Sequence, residues 1–215
     1  MSNRTSQQII VGIVVITWLG IALLTGQTLS PTPLKLYSIS GSIVSLVALS
    51  YERYIWRWRF VRRFTGVPLL AGTWRGSLIS SYVSTSGGPK TAVPIAIRVT
   101  QTASVVTVTQ FTAESTSSSR QVRLAKLPDG RWQLAWSYEN TPRSGVRDRS
   151  GLHRGFAEAL LGENGDSLEG EYFTDRLTRG ELHLPTWSPT AYGTAESAFQ
   201  ASDFISPSSY VTKLP

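Results

Sequence analysis

The sequence predicts an all-β fold, an eight-stranded antiparallel β-barrel, preceded by an N-terminal hairpin of two transmembrane helices. Three observations predict it. From Thr65 onward apolar residues recur with period two over eight short stretches, the spacing of strands with one buried face. Turn dipeptides separate several of those stretches. Ahead of residue 64, two long apolar runs are joined by a short turn containing Pro31 and Pro33.

The first apolar run, Ile9 to Leu24, is broken only by Gly12, Thr17 and Gly20, and the second follows from Leu36 to Tyr51. A hairpin of two spans at about 9–26 and 34–51 is the expectation, because in lipid each helix satisfies its own backbone. A cleaved signal segment is the competing reading, but Arg4 alone is a thin basic leader. Arg53, Arg57, Arg59, Arg62 and Arg63 follow the second run, so the positive-inside bias assigns everything beyond residue 52 to the cytoplasm. Tyr51, Tyr54, Trp56 and Trp58 read as an interfacial aromatic belt. Ser38 with Ser42, and Gly41 with Ser45, are small residues four apart, a spacing that lets helices approach closely. They pack against the first helix of the same chain or between chains.

The barrel is expected over residues 64–185. Trp74 and Leu78 share a phase with Gly76 and Tyr82, and Val93, Ile95, Ile97 and Val99 share another. Further stretches run over 105–111, 121–127, 132–138, 152–161, 168–174 and 178–184. Asp129-Gly130 and Asn164-Gly165 supply the positive φ angles of tight hairpins, and Ser-Gly-Gly-Pro at 86–89 marks a longer turn. Closure into an up-and-down barrel removes exposed sheet edges; a β-sandwich is the alternative. Pro94 inside a strand pattern implies a bulge or a rim. Residues 186–215 lose the alternation: either they trail as a tail, or Trp187, Tyr192 and Phe199 fold back over the barrel.

Composition removes several function classes. With no cysteine there is no disulfide scaffold and no thiolate metal site. His153 and His183 lie thirty residues apart and read as ordinary strand residues; no metal site, nucleophile motif or phosphate loop is nominated, and no enzyme is expected. The net charge of +7 suggests a nucleic-acid binder until it is mapped. Residues 52–63 carry +4 of it and residues 64–215 only +1, so the domain lacks the basic face that a DNA or RNA polymer requires. Glu158, Glu169, Glu171 and Glu181 fall on the polar phase, as on a solvated face.

The densest polar and aromatic constellation runs from Gly170 to Gly180. Strand parity puts Leu168, Gly170, Tyr172 and Thr174 on the inward face, with Arg176 and Thr178 at the strand end near the barrel mouth. A ring to stack on, hydroxyls, and an arginine to fork onto phosphate suit a nucleotide. From spacing alone the alternative stands beside this: Tyr172 fills the core and Arg176 pairs with a glutamate. Tyr82 and Tyr138, at strand ends, line the opening. The stretch Asn140 to Ser150 carries Arg143, Arg147 and Arg149 against Asp148, either a flap over an anion or a solvated loop.

The order of two apolar helices, a basic aromatic junction, Gly72-Thr73-Trp74-Arg75-Gly76, His153-Arg154-Gly155-Phe156 and the string from Gly170 to Gly180 resembles a known family. These are the two-transmembrane, β-strand-rich effectors of CBASS anti-phage systems, cyclic-dinucleotide receptors associated with CD-NTase enzymes. The resemblance runs over most of residues 9–185. It implies a minimal barrel that binds a cyclic dinucleotide made by a CD-NTase, with no other cofactor, through Tyr172, Thr174, Arg176 and Thr178. It further implies homo-oligomerisation, disruption of the bacterial inner membrane and abortive infection. A membrane-tethered, lipocalin-like barrel holding an apolar ligand or acting as a scaffold is the other reading of the same elements.

Overall fold

The computed structural model describes residues 15, 16, 19, 20, 23, 31–80, 92–148 and 151–207, with only the backbone described for 31–40. The chain divides into two compact units: residues 1–64 with Thr102–Val105, and the remainder from Thr65.

In the first unit α1 spans Pro31–Arg53, a single-turn 3-10 helix covers Ile55–Arg57, and α2 spans Arg59–Thr65. Ile43, Val44, Leu46, Val47 and Leu49 are exposed around most of the α1 circumference. Among the described residues no helix is long and apolar enough to cross a membrane. Lys35 and the serines at 38, 40, 42, 45 and 50 dilute the apolar character of α1. The first expected span, at 9–26, lies mostly outside the described residues. The aromatic belt needs a correction. Tyr54 and Trp58 are exposed, but Trp56 is buried.

The second unit is a closed barrel of eight antiparallel strands in sequence order. They are β1 (Gly72–Ser80), β2 (Ala92–Gln101), β3 (Val106–Phe111), β4 (Ser115–Lys126), β5 (Trp132–Pro142), β6 (His153–Leu161), β7 (Leu168–Thr174) and β8 (Arg179–Ser188). β8 closes the ring on β1. Closure leaves no strand edge unpaired, so alternation alone decides what points inward. The core holds Trp74, Ile95, Ile97, Val99, Val108, Leu134, Trp136, Ala157, Ala159, Leu168, Leu182 and Leu184.

One end is sealed. Trp74 Nε1 donates to the Leu70 carbonyl at 3.0 Å and Trp187 Nε1 to that of Ala71 at 3.2 Å. Gln101 accepts from the Leu70 N–H at 2.9 Å and donates to the Pro68 carbonyl at 3.0 Å. The segment before β1 is thereby pinned across the barrel floor. Gly72 sits there at φ +132, and a Cβ on it would lie 2.2 Å from the Ser188 carbonyl oxygen. This explains the first glycine of the Gly-Thr-Trp-Arg-Gly motif; the second, Gly76, falls at the register shift between Arg75 and Ser77 on β8. Pro94 pairs with Ser77 beside that irregularity, and β3 pairs with β2 only from Ala96 onward. The proline thus occupies a projecting stretch of β2, where a ladder donor is dispensable.

Beyond β8 the chain turns back over the outer wall. The short helix α3 (Ala195–Gln200) is capped by Thr194, whose side chain accepts from the Ser197 N–H. Ala195 and Ala198 pack on Ala96 and Phe111, with Tyr192 and Phe199 beside them. Arg75 donates to the carbonyls of Phe199 and Ala201 at 3.2 and 3.1 Å and lies 3.9 Å over the Phe204 ring. A guanidinium suits the negative end of a helix and the face of a ring. Asp203 accepts from Ser188 Oγ at 2.6 Å, Thr190 Oγ1 at 3.0 Å and Tyr192 Oη at 2.6 Å. Ile205 bridges to Trp187 through two 2.9 Å backbone bonds.

The Asp203 carboxyl is held below the ordinary aspartate range, first by the Ser188 hydroxyl and then by Tyr192. Folding lowers this pKa, so its contribution is complete above the ordinary aspartate value and is lost as pH falls through the folded one. We expect the exchange protection of the Ile205 amide, measured relative to β5 amides, to fall below about pH 4 in the wild type but not in Asp203→Asn. A constant ratio down to about pH 2.5 would refute the clasp.

Candidate ligand-binding site at the barrel mouth

The opposite end is built differently. Its connections are 81–91, outside the described residues together with Tyr82, then 112–114, 143–152 and 175–178. Three rows of inward side chains descend from this rim. The first is Gln110, Ser117, Asn140 and His153, direct partners across β3 to β6. The next holds Tyr138, Gly155 and Thr174, and the third Trp136, Ala157, Tyr172, Gly180 and Ser80.

Both tyrosines lie on glycines. A Cβ built on Gly155 would stand 2.4 Å from the Tyr138 ring and phenolic oxygen, and one on Gly180 would stand 2.6 Å from Tyr172 Cε1. Each ring therefore rests against the wall of the neighbouring strand. Burial raises the Tyr138 phenol well above its usual value, with the Tyr172 and Asp175 charges adding to the effect. Burial raises Tyr172 as well, partly offset by its hydrogen bond with Ser80. Both remain neutral hydroxyls at physiological pH, able to donate and to stack.

The β7–β8 turn forms the rim beside them. Thr174 and Thr178 join hydroxyls at 2.7 Å, and their backbones close the hairpin at 2.9 Å. Asp175 exchanges bonds with the Arg154 backbone, its N–H donating to the carbonyl and its Oδ2 accepting from the N–H, both at 3.0 Å. Arg176 N–H donates to Thr174 Oγ1 at 3.2 Å, and its guanidinium reaches across β6 to the Gly151 carbonyl at 3.4 Å. That bond is long and solvent-exposed, one that an anionic ligand can displace. Leu177 follows at φ 60, a left-handed conformation that β-hairpins usually assign to glycine, and it is 95% exposed. A strained, unburied apolar residue contributes nothing to the folded state at this position; such outliers gather at binding rims.

Of the six residues expected at the site, Tyr138, Tyr172, Thr174, Arg176 and Thr178 converge on this end. Arg143 and Arg147 are exposed beyond the end of β5, and Arg147 Nε donates to the Pro142 carbonyl at 3.4 Å; Arg149 lies outside the described residues. Asn140 to Pro142 belong to β5, so the presumed flap begins only at Arg143. Sequence reasoning missed Gln110, Ser117 and Asn140. Parity contained the signal, since Asn140 continues the row Trp132, Leu134, Trp136, Tyr138 and Gln110 continues Val106 and Val108.

A small closed barrel with a tryptophan floor and a polar, ring-lined mouth is the architecture of a single-ligand receptor barrel. The family model described as "Cap15, cyclic dinucleotide receptor domain" matches residues 65–186, and the chain belongs to that family. It is similar to CD-NTase-associated protein 15 of Staphylococcus schleiferi, 24% identical over 151 residues, covering 70% of this chain and 79% of the relative. It is also similar to CD-NTase-associated protein 15 of Yersinia aleksiciae, 26% identical over 152 residues and covering 70% of each.

Two expectations follow from the rim geometry. Gly155→Ala forces the Tyr138 ring off its seat and costs about 1–3 kcal/mol in chemical denaturation, and a double-mutant cycle with Tyr138→Leu recovers most of it. Additive losses would show that ring and glycine are not coupled. Leu177→Gly relieves the left-handed backbone without losing buried surface and stabilises by about 0.5–1 kcal/mol; a loss of stability would contradict the assigned turn.

Proposed function

We propose that this chain is a membrane-anchored effector of CBASS anti-phage defence, whose barrel senses a cyclic dinucleotide made by a partner CD-NTase. The carrying observation is membership of the cyclic dinucleotide receptor family across the whole barrel wall up to residue 186. The mouth geometry supports it: rings of Tyr138 and Tyr172 offer stacking faces, the Thr174 and Thr178 hydroxyls offer donors, and Arg176 offers a guanidinium for phosphate. The polar rows argue against a lipocalin-like carrier, because an apolar guest leaves Gln110 Nε2 and Asn140 Oδ1 desolvated and unpaired.

In this reading the N-terminal segment holds the chain in the bacterial inner membrane as a two-helix hairpin, with the barrel in the cytoplasm. Its supports are the apolar run at 9–24, the arginines at 53–63, and the exposed aliphatic residues of α1. Ligand binding drives homo-oligomerisation of the helices, which disrupts the membrane and ends the infection with the cell. A ligand shifts assembly only by binding the assembled state more tightly than the dispersed one. A Cβ built on Gly41 would meet no described atom within 4 Å, and a small residue there suits close helix approach in that assembly. No chemical step is assigned to the chain.

The test is calorimetry on the full chain in lipid nanodiscs against 3′,3′-linked cyclic dinucleotides pairing A, G, C and U. At least one ligand is expected to bind, and Arg176→Ala to weaken it by about 10–100-fold with an unchanged melting temperature. Absence of binding across the set would sink the proposal.

A further inference from the structure

Three buried polar atoms on the inner wall lack a hydrogen-bond partner among the described residues: Gln110 Nε2, Trp136 Nε1 and Asn140 Oδ1. Native interiors pair nearly all such atoms, so three orphans among the inward rows need a reason. Gln110 and Asn140 flank Ser117 in one cross-strand row, and each retains only 8% of its surface. Both therefore face the lumen with a polar atom held out of water.

Asn140 is also fixed in place. Its Nδ2 donates to Ser115 Oγ and Ser117 Oγ, each at 2.9 Å. Hydroxyls accept or donate equally, so the same clamp holds the carboxamide either way round. A held amide with a free end, in one row with a free amide donor two strands away, is poor chemistry for phosphate, which repels a carbonyl oxygen. It is the chemistry that matches a base edge, where carboxamides pair with adjacent donor and acceptor atoms. The Tyr138 ring, in the adjoining row, supplies a face for the same base.

We propose that Gln110 and Asn140 are specificity-determining residues that read the edge of one nucleobase of the bound cyclic dinucleotide. The inference rests on the receptor function proposed above and divides the site by chemistry. Arg176, Thr174 and Thr178 at the rim take phosphate and ribose, the same in every cyclic dinucleotide. The two amides inside take the base, which differs. The rival occupant is an ordered water bridging the amides, which would give the pair a purely structural role.

Equilibrium binding on the full chain in nanodiscs, with the same set of 3′,3′-linked cyclic dinucleotides, separates these. For Gln110→Met we expect the affinity for the preferred ligand to fall about tenfold or more, as when a site built for a hydrogen bond loses it. The ratio between best and second-best ligand should contract, and the melting temperature of the unliganded protein should hold or rise, since a buried orphan donor has been removed. Asn140→Asp, which keeps the shape and the Ser115 and Ser117 contacts, should also change the ranking of ligands. Arg176→Ala should weaken all ligands alike and leave the ratio intact. Wild-type ratios in both Gln110→Met and Asn140→Asp, alongside lost affinity in Arg176→Ala, would overturn the base-reading assignment and leave the receptor function standing. Wild type that binds no member of the set overturns both.

Discussion

The pairing of β8 with β1 is the interaction on which the rest depends. It turns a meander into a ring, and once the ring is closed each residue is either inside or outside with no edge between. Small differences in side-chain volume then decide where space remains. Trp74 and Trp187 lie with ring centroids 6.5 Å apart at the floor, under the pinned segment Pro68–Ala71. Toward the mouth the large residues sit opposite glycines. Tyr138 over Gly155 and Tyr172 over Gly180 lay aromatic area against the wall. One end is a core and the other the candidate site for the same reason, the sequence of volumes along each strand.

That logic made most of the barrel legible. Period-two alternation identified all eight strands, and Gly130 and Gly165 adopt the positive φ that their turns require, at 90° and 65°. What escaped was set by long-range geometry. The register shift between Ser119 and Gln121 is a property of two strands together, so no single stretch announces it. The polarity of Asn140 suggests a loop while its parity suggests a strand, and parity prevails because a mouth is where inward residues turn polar. Trp56 looked like a headgroup anchor among three similar aromatics, yet it is buried. The return of residues 189–207 depends on contacts from Arg75 and Arg98 more than ninety residues upstream, invisible to any local pattern.

That returning segment solves a problem created by β2 and β3. Ala96 and Phe111 point outward yet are apolar, which breaks the polar outer phase on two neighbouring strands. Left bare they would present a sticky patch; covered by Ala195, Ala198, Tyr192 and Phe199 they become a second small core. The family match ends at residue 186, just before this cover begins. The barrel mouth lies wholly within the matched region, whereas the cover for β2 and β3 lies wholly outside it.

The two ends of the barrel also differ in how completely they satisfy their own bonding. At the floor each indole N–H and both ends of the Gln101 amide have partners. At the mouth three buried atoms have none among the described residues, and a leucine occupies a turn position better suited to glycine. Each orphan costs about 1–3 kcal/mol of folding free energy, and a well-made floor offsets that cost. The same deficit is what a ligand recovers on arrival. A mouth whose amides already paired with each other would fold more tightly and would have nothing left with which to tell one base from another.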